Sequence, residues 1–337
     1  MNYRLLGNRT GLRVSELALG TGRIGTGTDS TVDRGAARDL FRAFADAGGT
    51  FFDTSSAYLG GQAEEMLGEF LAESDRDQFV VSTKYTRTSH SQPPVASLGN
   101  HRKGLRAEVE ASLRRLRTDH IDLYFPHFDD GLTPVEEIMR GLDDLVSAGK
   151  VLYIGLTNFP AWRIASAAML AELRGWAPVA VVQLQYNLLE RTADREYLPM
   201  ADAFGMGVMG YSPLGSGSLG RPSSGAIGDG SGQVDAGEDR GRDAILRELG
   251  AVAADVGAEP VGVALAWLIA KGITPIVGAR AQHQLRGNLA GVTTRLSGEQ
   301  VDRLDKVSAP AAGYPYDLLG MVRESSGLSD RRSGVIR

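Results

Sequence analysis

The chain has 337 residues, 42% of them hydrophobic and 23% charged, with a net charge of −5. That balance excludes a mostly disordered or fibrous chain, and the dispersed Lys and Arg give no basic footprint for nucleic acid. Cysteine is absent, which removes disulfides, thiolate nucleophiles and zinc-thiolate sites together.

At the N-terminus Arg4, Arg9 and Arg13 leave no apolar stretch of the kind a signal peptide needs. Two short apolar stretches around Gly7-Asn8-Arg9-Thr10-Gly11 predict a β-hairpin ahead of the main fold. Strand candidates then follow at Glu16–Leu19, Thr50–Phe52, Phe79–Thr83, Ile121–Phe125, Leu152–Leu156, Val179–Leu184, Gly207–Tyr211 and Thr274–Val277. Between them lie stretches of helical period, such as Arg38–Ala47 with Leu40, Phe41 and Phe44 on one face, and Leu105–Leu116 with Leu105, Val109, Leu113 and Leu116. Pro134 and Pro260 sit where a helix would begin. Apolar strands alternating with helices imply a parallel sheet covered by helices, and eight such units favour closure. The expectation is one domain over residues 1–337, a (β/α)8 TIM barrel with an N-terminal hairpin.

Gly215 to Gly241, rich in Gly, Ser and Asp, reads as a long loop, either a lid or a flexible insertion. The tail from Pro310 also reads as irregular, with Tyr314, Pro315, Tyr316, Leu318 and Leu319 suggesting that part of it packs on the body. The longest uncharged apolar run, Val261 to Ala270, is far below the ~20 residues that span a bilayer. A cytoplasmic chain without membrane or nucleic-acid partner is expected, and the sequence leaves oligomeric state open.

Gly20-Thr21-Gly22-Arg23-Ile24-Gly25 satisfies the G-x-G-x-x-G pattern of a dinucleotide-binding turn. In that fold a helix starts inside the motif, under the pyrophosphate. Here Thr26-Gly27-Thr28-Asp29-Ser30 follows, a poor helix start, so these glycines read as a loop at the barrel mouth. None of the ten tyrosines has a Lys four residues on, which removes the short-chain dehydrogenase pattern.

Barrel active sites are built at the C-terminal ends of the strands. In this chain those ends carry Asp53, Lys84, His127, Asn158, Gln183, Tyr211-Ser212 and Arg280. Taken singly, Asp53 reads as a cap or turn residue, Lys84 as a solvated strand end and His127 as a satisfied core histidine. Gln183 inside an apolar strand is different, because a buried amide without partners costs ~1 to 3 kcal/mol. The five histidines, His90, His101, His120, His127 and His283, show no ligand spacing, so no metal is expected.

From the hairpin to about Val307 the chain resembles the aldo-keto reductases. The resemblance is carried by Phe51-Phe52-Asp53-Thr54-Ser55-Ser56-Ala57-Tyr58 with Glu64-Glu65-Met66-Leu67-Gly68, by Ser82-Thr83-Lys84, and by Ile121-Asp122-Leu123-Tyr124 leading to His127. Gly155-Leu156-Thr157-Asn158-Phe159, Gln183 with Tyr186-Asn187-Leu188, and Tyr211-Ser212-Pro213-Leu214-Gly215 complete it. Gly278-Ala279-Arg280 with Gln284 resembles the branch that includes bacterial reductases and the potassium-channel β subunits.

The resemblance implies a catalytic set of Asp53, Tyr58, Lys84 and His127, reducing an aldehyde or ketone with NADPH. Tyr58 would give the proton, Lys84 would lower its pKa, Asp53 would hold Lys84, and His127 would donate a second hydrogen bond. It further implies that Thr157, Asn158 and Gln183 hold the nicotinamide and that Tyr211 stacks on it. Gly22, Ser212, Pro213, Leu214, Ser216, Leu219 and Gly278 would line the rest of the cofactor, with Arg280, Gln284 and Asn288 at the adenosine end. Gly287 departs from the family, which often has Glu there. Arg23, Ile24, Tyr85, Phe128 and Phe159, with Tyr58, are the candidates for the substrate pocket. A cofactor-binding, redox-sensing regulatory subunit is the alternative function.

Overall fold

The computed structural model describes residues 1–27, 30–89, 92–220 and 236–326. At the N-terminus β1 (Tyr3–Leu5) and β2 (Arg13–Ser15) pair antiparallel as the predicted hairpin. In chain order there follow β3 (Ala18–Gly20), a short antiparallel ribbon of β4 (Gly25–Gly27) and β5 (Ser30–Val32), β6 (Phe51–Asp53), β7 (Val80–Tyr85), β8 (Ile121–Pro126) and β9 (Val151–Thr157). They are succeeded by β10 (Val179–Gln185), β11 (Gly207–Tyr211) and β12 (Thr274–Gly278). The eight long-range strands pair in parallel, β3-β6-β7-β8-β9-β10-β11-β12, and β12 returns to β3 through Ile276 opposite Ala18, which closes a barrel.

Strand alternation sorts each side chain into one of two layers. Phe51, Val80, Leu123, Phe125, Val181, Met209 and Ile276 fill the barrel interior, and Leu6 and Val14 of the hairpin join them. Phe52, Val81, Tyr85, Tyr124 and Val182 point the other way, into the layer shared with the helices. The same alternation brings Asp53, Lys84 and Gln183 to the inner face. Gly155 has no side chain because a Cβ there would lie 2.2 Å from the Phe125 ring.

The covering helices are α1 (Arg34–Asp46), α2 (Gln62–Ala72), α3 (Arg102–Leu116), α4 (Val135–Ser147), α5 (Ala161–Arg174), α6 (Tyr197–Ala203), α7 (Ala236–Val256), α8 (Pro260–Ala270), α9 (Gln282–Thr293), α10 (Gly298–Val307) and α11 (Tyr316–Ser325). Asp33 caps α1 by accepting the Ala36 amide, and the helix buries Leu40, Phe41 and Phe44 as the periodicity predicts. His101 caps α3 through the Gly104 amide. Pro134 is the N-cap of α4, and Pro260 opens α8.

Two expectations are corrected. The stretch Gly215 to Gly241 is not a continuous loop: it opens with a 3-10 turn over Gly215–Gly220, whose Leu219 is buried, and α7 already begins at Ala236. Residues 221–235 lie outside the described residues. The early part of α7 is polar and contains Gly237 and Gly241, so it shows no apolar stripe. Its helical pattern is carried further on by Ile245, Leu249, Val252 and Ala253, all buried. The tail from Pro310 contains α11, tied to the body by Tyr316 Oη to Glu196 (2.8 Å) and by Arg195 to the Ala311 carbonyl. Tyr314, Leu318 and Leu319 remain largely exposed, so polar contacts rather than these apolar groups fasten it. Among the described residues no single helix is long and apolar enough to cross a membrane.

Candidate active site

Asp53 is the last residue of β6 and lies in register with Ser82 of β7, which brings Lys84 one inward-facing position further along. Both side chains are buried. Lys84 Nζ donates to Asp53 Oδ2 (2.7 Å) and to the Thr54 carbonyl (2.8 Å). Asp53 Oδ1 accepts from Ser82 Oγ (2.6 Å) and from Gln183 Nε2 (2.9 Å), reaching across from β10. The carboxylate therefore has three donors and the ammonium two acceptors. Burial works to depress the Lys84 pKa, but Asp53 and Tyr58 outweigh it and hold the ammonium above its ordinary value, so it stays charged.

Tyr58 enters on a 3-10 turn whose next two residues, Leu59 and Gly60, have φ of 50° and 67°. Lys84 Nζ lies 5.3 Å from the centre of the Tyr58 ring. The His127 ring meets it edge-on at 5.7 Å, and Gly22 packs beside it, with space for only a Cβ 3.5 Å away. Lys84 pulls the phenol pKa down, as the sequence suggests, but burial pushes it up more strongly and the net shift is upward. The expected lowering is thus reversed, and Tyr58 holds its proton throughout the neutral range.

His127 follows β8 and is pinned by its amide, which donates to the Tyr85 carbonyl (3.0 Å) and to Thr86 Oγ1 (3.1 Å). Burial, then the charges of Lys84 and Arg87, lower its pKa to about 3, so the imidazole is neutral. Its Nδ1 lies 3.1 Å from Ser55 Oγ. That hydroxyl oxygen also accepts the Ala57 amide (3.3 Å); with its own proton given to Nδ1, the ring hydrogen sits on Nε2, the tautomer that aims a donor away from Ser55. Ser55 went unrecognised in the sequence; its position three residues before Tyr58 was the available signal.

Apart from Gly22, which follows β3, the predicted cofactor residues lie at the ends of β9, β10, β11 and β12, in the segments after them and on α9. Asn158, at φ 55°, donates to the His127 carbonyl (2.8 Å) and accepts from Tyr211 Oη (2.9 Å). Thr157 Oγ1 is buried with no hydrogen-bond partner among the described residues. Ser212 and Ser216 take left-handed backbone conformations (φ 51° and 56°) on either side of Pro213 and Leu214, and the Leu219 amide closes back on the Leu214 carbonyl at 3.2 Å. Beyond Gly278, Arg280 is exposed, its amide bonded to Gln284 Oε1 (2.8 Å), while Asn288 donates to the Gly278 carbonyl (2.9 Å).

The pocket candidates divide. Phe128 sits beside His127, with ring centres 6.4 Å apart, and Arg23 is exposed after Gly22 at the mouth. Tyr85 is not on the wall: alternation along β7 turns it outward, where it stacks on Tyr124 and donates to the Asn100 carbonyl (3.3 Å). Ile24 and Phe159 are likewise fully buried in the barrel–helix layer, Phe159 beneath the Arg163 guanidinium. Adjacency in sequence to mouth residues does not carry over to the mouth, because successive side chains face opposite sides.

A closed parallel barrel whose strand ends converge on a buried Asp–Lys pair, a phenol and a neutral imidazole is the framework of a (β/α)8 enzyme. A family model described as Aldo/keto reductase family matches residues 16–309, and the chain belongs to that family. It is 37% identical to an aldo-keto reductase, ausK, of Emericella nidulans, over 97% of this chain and 86% of that protein. It is 33% identical to the norsolorinic acid reductase of Aspergillus flavus, over 94% of this chain and 84% of that one. With the aryl-alcohol dehydrogenase [NADP(+)] of Phanerodontia chrysosporium the identity is 34%, over 94% and 89%. The chain is accordingly an NAD(P)H-dependent oxidoreductase of the carbonyl-reducing kind.

Proposed function

We propose that this chain reduces the carbonyl of an aromatic aldehyde or ketone with NADPH, Tyr58 supplying the proton. The carrying observation is the charged, fully buried Lys84, held by Asp53 and poised beside a phenol that stays protonated. When bound, the reduced nicotinamide supplies a hydride to the carbonyl carbon. As negative charge develops on the carbonyl oxygen, the Tyr58 hydroxyl gives up its proton to that oxygen, and the ammonium of Lys84 stabilises the phenolate left behind. The neutral His127, in the tautomer that carries its hydrogen on Nε2, is suited to donate a second hydrogen bond to the same oxygen. Asp53 does not exchange protons with the substrate; it keeps Lys84 charged and fixed.

The mouth is fitted to a dinucleotide. Thr157 Oγ1 is an orphaned buried hydroxyl where a carboxamide would bind, and Asn158 and Gln183 stand beside it with their amides. The N-terminus of α9 is capped only by Ala281, which has no side-chain acceptor, so its free amides and dipole favour a phosphate. Exposed Arg280 adjoins that helix end and supports NADPH over NADH, because guanidinium binds phosphate in bidentate fashion. The relative named for NADP(+) supports the same choice, and the aryl-alcohol and norsolorinic acid relatives support an aromatic substrate. A turnover assay with NADPH and benzaldehyde, read as loss of nicotinamide absorbance, tests the reading. Aldehyde-dependent oxidation is expected, and a cofactor that binds but is never oxidised by any aromatic carbonyl overturns it.

A further inference from the structure

Arg87 stands two residues beyond the C-terminal end of β7 and, apart from its field on His127, has no part in the chemistry above. Its backbone is held from both sides of the site. Ser56 Oγ, two residues before Tyr58, donates to the Arg87 carbonyl (2.8 Å). The preceding Thr86 has φ of 86°, a conformation costly for a β-branched residue, and is kept there by its hydrogen bonds to Asn100 and to the His127 amide. The side chain so presented is exposed.

Among the described residues Arg87 has no carboxylate partner. Three carboxylates at the ends of β6 and β8 are already engaged. Asp53 is taken by Lys84, and Asp129 by Arg163 (3.2 Å). Asp130 accepts from the amides of Asn100, Leu132 and Thr133. The positive charge of Arg87 nonetheless reaches the reacting groups, since it favours the neutral form of His127 and the ionised form of Tyr58.

The barrel order makes this charge hard to assign to the cofactor. β7 is four strands from β11 in either direction round the closed barrel. The loop Leu214–Leu219 and Arg280, which suit phosphates, follow β11 and β12 on the far side. A cation at the β7 end is thus set apart from those phosphate-suited groups, on the side of the mouth left for substrate.

We propose that Arg87 is a specificity-determining residue that binds a carboxylate on the carbonyl substrate, so that the enzyme prefers aromatic aldehydes bearing an acid group. The inference rests on the proposed function, the reduction of an aromatic carbonyl. A guanidinium pairs with a carboxylate through two parallel hydrogen bonds, and a concave site with one sign of charge concentrates the opposite ion.

The test compares 4-carboxybenzaldehyde with its methyl ester, two aldehydes of similar shape that differ by one charge, in the parent enzyme and in Arg87→Gln and Arg87→Lys. The readout is the ratio of kcat/KM for acid over ester, in which intrinsic reactivity cancels between variants. Arg87→Gln should lower that ratio about tenfold, the lower end of what a hydrogen bond to a charged group contributes. The fall should come through KM, and Arg87→Lys should retain most of the ratio. An unchanged ratio overturns the proposal. So does an equal fall for both substrates, which would mean that Arg87 acts only through its field on Tyr58 and His127. A parent enzyme that reduces neither aldehyde, nor benzaldehyde, overturns the aromatic-carbonyl reading of the proposed function, and this inference with it.

Discussion

Lys84→Met replaces the buried ammonium by a thioether of similar length and leaves two acceptors behind, Asp53 Oδ2 and the Thr54 carbonyl. Breaking a buried ion pair by removing one partner costs about 3–5 kcal/mol, because the other charge is left in a poor medium. Here Asp53 Oδ1 keeps its bonds from Ser82 and Gln183, so within the carboxylate the loss falls on Oδ2 only. The lower end of that range, about 3 kcal/mol, is the expected loss in urea unfolding at neutral pH. In Asp53→Asn combined with Lys84→Met neither charge remains, so the double variant should be more stable than Lys84→Met alone. The coupling between the two sites should be at least about 1 kcal/mol, as for residues sharing one network. Turnover should fall in both variants, since the Tyr58 phenolate loses its neighbouring cation. A stability loss below about 0.5 kcal/mol for Lys84→Met, the size of an ordinary surface change, would refute the burial and pairing described here, and so would strict additivity in the double variant.

Arg280→Ala should raise KM for NADPH far more than for NADH; equal effects on both would leave Arg280 a solvated loop residue. The His127 pKa, held at about 3 in the folded state against 6.5 in the unfolded chain, makes the unfolded chain take up a proton that the folded one refuses as pH falls through that window. Stability should therefore decline from pH 6.5 towards 3, and His127→Gln should flatten that decline, as measured by urea unfolding across the range. Kinetically, the neutral imidazole should leave no ionisation of its own between pH 5 and 8 in kcat/KM, and a limb near 6.5 that disappears in His127→Gln would show that the ring titrates normally.

The barrel was legible because its strands are buried on both faces and read as short apolar runs. The ends of those runs were less so. Hydrogen bonding continues past the last large apolar residue into Asp53, Lys84-Tyr85, Thr157 and Gln185, where polar side chains interrupt the hydrophobic signal but not the ladder. Those same residues made the mouth recognisable, yet which face each neighbour takes was misjudged for Tyr85, Ile24 and Phe159. Their size and apolarity suit a pocket wall as well as they suit the barrel–helix layer, and only the phase of the strand or turn decides. Helices α7 and α11 were missed for a different reason. One begins in a polar, glycine-containing segment that shows no apolar stripe; the other carries Leu318, Met321 and Val322 at helical spacing, but this short run sits among Gly313, Pro315 and Gly320 and stays exposed in the fold. The Tyr58 pKa was the subtlest case. The sequence supplied the nearby cation, while the larger opposing influence, burial, exists only once the barrel has closed.

Tyr58→Phe tests the central claim most directly, because it deletes one hydroxyl and keeps the ring that packs against Gly22 and His127. Loss of one transition-state donor costs about 100-fold to 1,000-fold in turnover, and loss of the proton source adds a general-acid contribution of similar size. Turnover of benzaldehyde with NADPH should collapse by at least about 1,000-fold. NADPH titration, followed by quenching of protein fluorescence, should show near-parental affinity, since the residues fitted to the cofactor lie on β9 to β12 and α9. A variant that binds NADPH normally and keeps most of its turnover would contradict the assignment of Tyr58 as the acid.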